Sequence, residues 1–196
     1  MASASDNFDR ANGGLGANWT IQPGTSTPTI FGNAARADSS ATYGGAFYNG
    51  ISPGTGQWSE VILGAVDGID DDDVGTGPAI YMSAAADTCY KLGCNSDPAH
   101  EFELGERVAG VTTVLDTDTT GAAPATNDVV YLEASAAGAL SGKVNGVERV
   151  GITDTTLTTG NVGMVLCWQN TPQPTLLSWQ GGDLTVGVAA PMFRGS

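Results

Sequence analysis

The chain has 196 residues and a formal net charge of −14, from 7 Lys and Arg against 21 Asp and Glu. So acidic a surface repels phosphate, because affinity for nucleic acid rests on Lys and Arg displacing counterions, and this excludes nucleic acid and anionic membrane surfaces as electrostatic partners. Charged residues reach only 14%, and polarity comes instead from Thr, Ser, Asn and 28 Gly, residues that suit turns and exposed strand faces and weaken helix interiors.

No stretch keeps a helical period. In chain order, short runs of β-branched or aromatic residues alternate with clusters of Gly, Asn, Asp, Pro or Ser. Trp58–Leu63 predicts a strand with Trp58, Glu60 and Ile62 on one face and Val61 and Leu63 on the other. Pro78–Ser83 follows an Asp-rich turn, Glu101–Leu104 turns Phe102 and Leu104 inward, and Arg107–Leu115 and Asp128–Glu133 are two further strands. Asn145-Gly146 between strand-like arms predicts a two-residue hairpin, since that turn needs positive φ twice. Val162–Trp168, Thr175–Trp179 and Asp183–Val186 close the pattern, with Cys167 as a buried strand residue. A dozen short strands without a linker predict an all-β sandwich or barrel of one domain over 1–190, and residues 191–196 read as a tail or cloning remnant. No apolar run approaches the roughly 18–20 residues of a membrane span, and Met1–Asp6 lacks the regions of a signal peptide.

Asp6-Asn-Phe-Asp-Arg10, followed by Gly14-Leu-Gly-Ala-Asn-Trp19, resembles the opening of the concanavalin A-like (laminin G-like) jelly-roll domains of phage tail and other virion proteins. The resemblance continues at Gln57–Val61, Gly121–Pro124, Val144–Val147 and Leu176–Leu184, in order over nearly the whole chain. It implies a jelly-roll β-sandwich of two antiparallel sheets with adjacent termini. Phe8, Leu15 and Trp19 then lock the first strand to the sandwich, and Arg10 beside Asp6, Asp9 and Asp183 ties the two ends together.

Chemistry is sparse. Glycoside hydrolases on this fold carry paired carboxylates in a Glu-x-Asp-x-x-Glu run, which is absent, and the single histidine, His100, lacks the context of a lyase site. The expectation is a protein that is not an enzyme. Asp67-Gly-Ile-Asp-Asp-Asp-Asp73 crowds five carboxylates into one turn, which makes calcium a candidate cofactor with Asp67, Asp70 and Asp72 as ligands. The bland alternative is a solvated acidic turn. Cys89 and Cys94 are a candidate disulfide, against two free thiols flanking a turn. For sugar binding, Trp168 reads as core or its rim and Trp179 and Trp19 as buried, leaving Trp58, Tyr48 and Tyr90 as candidate stacking residues.

The leading expectation is a non-catalytic, surface-exposed virion module for adhesion or particle decoration. It would be located on a virion or extracellular surface, with other virion proteins or a host-surface glycan as partner and homo-oligomerisation adding avidity. A free carbohydrate-binding, lectin-like protein is the alternative, and a divergent polysaccharide hydrolase or lyase a third.

Overall fold

The computed structural model describes residues 2–38, 42–66, 75–94, 102–118, 123–168 and 173–184. Its strands in chain order are β1 (Ser3–Asp6), β2 (Gly13–Gly14), β3 (Trp19–Ile21), β4 (Thr29–Ile30), β5 (Ala35–Arg36), β6 (Thr42–Tyr48), β7 (Gln57–Leu63) and β8 (Gly77–Met82). They continue with β9 (Cys89–Cys94), β10 (Phe102–Val108), β11 (Val111–Asp118), β12 (Val129–Ala134), β13 (Ala139–Val144), β14 (Val147–Thr153), β15 (Asn161–Trp168) and β16 (Thr175–Asp183). Two antiparallel sheets result. One runs β14-β13-β12-β7-β16-β5-β4-β2, with β1 also on β16, and the other runs β11-β10-β9-β8-β15-β6-β3. This is the jelly-roll sandwich that the resemblance implied. Among the described residues no helix is long and apolar enough to cross a membrane.

Alternation explains the core. Val61 and Leu63 from β7, Val130 and Leu132 from β12, Leu92 from β9, Phe102 and Leu104 from β10, and Val162, Met164 and Leu166 from β15 meet between the sheets. Trp179 sits among them, 1% exposed, and its indole N–H is shared between Ser59 Oγ at 2.9 Å and the Gly163 carbonyl at 3.0 Å. Trp19 meets it edge-on at 4.8 Å, while Tyr48 stacks against it at 5.2 Å. Trp168 lies half-buried at the core's rim.

The first and last strands join as expected, by a different set of contacts. β1 pairs with β16 from Ser3 opposite Gly182 to Asp6 opposite Trp179. Asp183 accepts the Ala2 N–H at 2.9 Å and the Gly54 N–H at 2.5 Å. Arg10 instead grips Asp6 with two nitrogens at 2.7 and 2.8 Å and donates to the Leu15 carbonyl at 2.6 Å. Phe8, Leu15 and Trp19 are all buried in the core.

Two strand boundaries differ from the sequence pattern. The run Arg107–Leu115 is a hairpin, because Ala109 and Gly110 take φ of 49° and 86° and form the two-residue turn between β10 and β11. Thr175–Asp183 is one strand, where the sequence suggested a break after Trp179. The Asn145-Gly146 hairpin forms as expected, with φ of 50° and 80°.

Candidate functional site

The structure separates the candidate site residues. Asp67, Asp70 and Asp72 lie outside the described residues, as does His100. Among the described residues no group of three or more His, Cys, Asp or Glu side chains could hold a metal ion.

Cys89 and Cys94 are free thiols at the two ends of β9. Five steps along an extended strand separate their Cα atoms by about 16 Å, against the roughly 4–7 Å that a disulfide spans. An odd offset also turns them to opposite faces: Cys94 enters the core between the sheets, while Cys89 joins Tyr43, Phe47, Met82 and Val165 on the far side of its sheet. The disulfide expectation is therefore corrected. Burial pushes both thiols up from their ordinary range, and Cys167 is buried as well. A thiol reagent should label none of the three in the native protein and all three in denaturant; labelling of native Cys89 or Cys94 at a free-thiol rate would contradict this placement.

Tyr90 points into the core. Its hydroxyl donates to Asp154 and accepts the Leu157 N–H at 3.0 Å, pinning the 154–157 loop. Tyr48 is half-buried beneath Trp19 and Trp179. Trp58 is 7% exposed, stacks on Tyr131 at 5.9 Å and donates its indole N–H to the Asp183 carbonyl at 3.1 Å. No ring contact joins these three aromatics, and Trp58 and Tyr90 are buried.

The outer faces of both sheets carry polar clusters. On the β7–β12 side, register sets Glu60 opposite Tyr131, Lys143 opposite Tyr131 and Gln180 opposite Glu60. Tyr131 donates to Glu133 at 2.8 Å, Lys143 to the same carboxylate at 2.6 Å, and Gln180 to Glu60. Glu60 is only 4% exposed, and burial raises its carboxyl despite the Gln180 bond. On the other sheet, Lys91 Nζ and Arg107 Cζ lie 4.4 and 4.2 Å from the centroid of the Tyr43 ring, while Arg107 Nε donates to Asp87 at 2.8 Å. Lys91 is fully buried and Asp87, Arg107 and Tyr43 nearly so. In both clusters polar and aromatic side chains on neighbouring strands hold one another, by hydrogen bonds on the first face and by cation–π contacts and the Arg107–Asp87 pair on the second. They brace the sheets.

One aromatic is open. Phe31, 51% exposed, is the exposed large aromatic among the described residues. Alternation along β4 and β5 sends Ile30 and Ala35 into the core and turns Phe31 and Arg36 outward. Gly32 and Asn33 take φ of 60° and 62° and close the hairpin, with the Phe31 N–H on the Ala34 carbonyl at 2.9 Å. Asn12 accepts the Gly32 N–H at 3.0 Å, and β16 pairs β5 from behind, so the tip is braced on two sides. The Arg36 guanidinium carbon lies 3.9 Å from the Phe31 ring centroid and holds the ring in place by cation–π attraction. Sequence reading missed this pair. The Gly32-Asn33 dipeptide between short apolar arms was the signal that could have found the hairpin; that Arg36 lies on Phe31 needed coordinates.

No protein-family model matches the chain. No curated protein matches it either. Solved structures do share its fold. The carbohydrate-binding module CBM66 from Bacillus subtilis is similar at a TM-score of 0.59 and 13% identity, covering 85% of this chain and 92% of its own. The exoplasmic/lumenal domain of VIP36, in its Ca2+/Man2-bound form, is similar at 0.60 and 12%, covering 95% and 89%. The apo Crh5 transglycosylase is similar at 0.58 and 9%, covering 94% and 85%. The chain thus has the lectin-type, concanavalin A-like jelly-roll fold. Its structural neighbours include binding modules and enzymes alike, and fold by itself assigns no activity. The virion expectation rests on the sequence resemblance alone.

Proposed function

We propose that this protein is a carbohydrate-binding, lectin-like domain and that the Phe31–Arg36 hairpin tip is its contact with sugar. The observation that carries the reading is the exposed Phe31 ring on a braced two-residue hairpin, with one face on Arg36. A flat apolar ring face accepts the C–H face of a pyranose, and a guanidinium beside it offers N–H donors to hydroxyls. The sugar-binding modules that share the fold support this class of ligand. A glycan partner is read in preference to virion decoration, for which no structural observation speaks.

Calcium completes the reading. The acidic run holding Asp67, Asp70 and Asp72 is rich in the oxygen donors this ion takes, and VIP36 has a Ca2+-bound form.

A glycan array run with calcium and again with EDTA tests both parts. Phe31→Ala is expected to weaken binding of any retained glycan at least tenfold, about 1.4 kcal/mol, while leaving the melting temperature within a few degrees. Binding that survives Phe31→Ala unchanged would remove the hairpin from the site. Binding and melting both indifferent to EDTA would remove the calcium.

A further inference from the structure

We infer that the hairpin tip selects glycans bearing isolated carboxylates, such as a uronic acid on an otherwise neutral chain, with Arg36 as the selecting residue. This rests on the sugar-binding reading of the same site and adds its ligand class.

The charge inventory is the starting point. The sequence holds only seven Lys and Arg against 21 acidic residues, so each cation has carboxylates to spare. Among the described residues Arg10 pairs with Asp6, Arg107 with Asp87, Lys143 with Glu133 and Arg149 with Asp118. Arg36 makes no ion pair with any of the described residues. Its Nε is buried without a hydrogen-bond partner, and its charge is held over the Phe31 ring. A guanidinium without an ion pair among the described residues, held at a surface tip in a protein so rich in acids, suits an anion supplied from outside.

Chemistry narrows that anion. Guanidinium matches carboxylate in a planar, bidentate fork, and the neighbouring ring takes the sugar to which the carboxylate belongs. Because Arg36 covers one face of Phe31, a sugar on the open face reaches the guanidinium around the ring's rim. An oligosaccharide of two or more residues can do this, with one residue on the ring and its neighbour's carboxylate on Arg36. The net charge of −14 disfavours a densely charged polyanion at long range. It leaves a sparsely carboxylated chain as the better match.

The test uses paired ligands that differ only at the acid. Oligosaccharides carrying one glucuronic or galacturonic acid on a neutral backbone are compared with their carboxyl-reduced counterparts, by calorimetry at physiological salt. At least fivefold tighter binding of the acids is expected. Arg36→Gln should abolish that preference and keep the residual affinity for the reduced sugars, while Phe31→Ala should weaken both. Equal affinity for acid and reduced forms overturns the carboxylate selectivity and leaves the sugar-binding reading intact. No binding of either form, beside a neutral panel that also fails, overturns both. Acid preference that persists in Arg36→Gln assigns it to another cation and defeats the inference.

Discussion

Trp179→Ala is expected to lose roughly 3–5 kcal/mol of stability, the range for deleting a large buried aromatic. Against a typical margin of about 5–15 kcal/mol, that leaves a domain at the edge of folding. The indole is 1% exposed and belongs to the layer that joins the two sheets. It touches Trp19 and Tyr48, so its loss opens a cavity under both rings. Trp179→Phe separates packing from hydrogen bonding. It keeps an aromatic ring and gives up the N–H shared by Ser59 and Gly163, which should cost about 1–2 kcal/mol. Urea midpoints with unchanged m-values would measure both. A loss below about 2 kcal/mol for the alanine variant would mean that the sheets close on each other without this ring.

The second large effect lies at Asp6. Its carboxylate, 12% exposed, receives four donors: two nitrogens of Arg10, the Trp19 indole at 2.8 Å and the Phe8 amide at 2.9 Å. Asp6→Ala strands all four at the point where the first strand meets the sandwich. Removing one member of a fully buried pair costs about 3–5 kcal/mol. Arg10 is 35% exposed in its side chain and can turn to water, so roughly 2–3 kcal/mol is the expected loss after that discount.

The same group sets an acid limb. Burial alone would raise the Asp6 carboxyl, but the bonds from Arg10, Trp19 and Phe8 outweigh it and hold it below the ordinary aspartate value of 3.8. A carboxyl depressed in the folded state adds stability that is full above its unfolded pKa and lost as pH falls through the folded one. Asp154, lowered chiefly by the Tyr90 hydroxyl, and Asp183, lowered chiefly by the Ala2 amide, act in the same direction. The wild-type protein should therefore lose stability as pH drops below about 4, with a shallower decline in Asp6→Asn, which cannot titrate. Identical acid limbs in the two proteins would place the acid sensitivity elsewhere.

The fold was legible because its signals are local. Alternation in Trp58–Leu63 identified β7 and its two faces, and Asn145-Gly146 marked the β13–β14 turn. The aromatic and apolar residues of the opening stretch anchored it as expected. Ala109-Gly110 escaped notice because the flanking residues stay β-branched on both sides, and only backbone with φ of 49° and 86° reveals the turn. The candidate sites fared differently, since a site depends on what lies opposite. Trp58 lies on the face opposite Val61 and Leu63 as predicted, yet Tyr131 and the Asp183 carbonyl occupy its ring face and its N–H. Tyr90 lies on the core face of β9, where the loop containing Asp154 captures its hydroxyl.

By itself, the sequence determined the all-β class, the order of most strands, and a core closed by Phe8, Leu15 and Trp19. Strand period and turn chemistry are properties of neighbouring residues. Only the tertiary structure decided that Cys89 and Cys94 face opposite ways, that Arg10 serves Asp6 and leaves Asp183 to the backbone, and that Phe31 rests on Arg36. Those outcomes depend on which strands become neighbours and which charges find partners, and packing settles both.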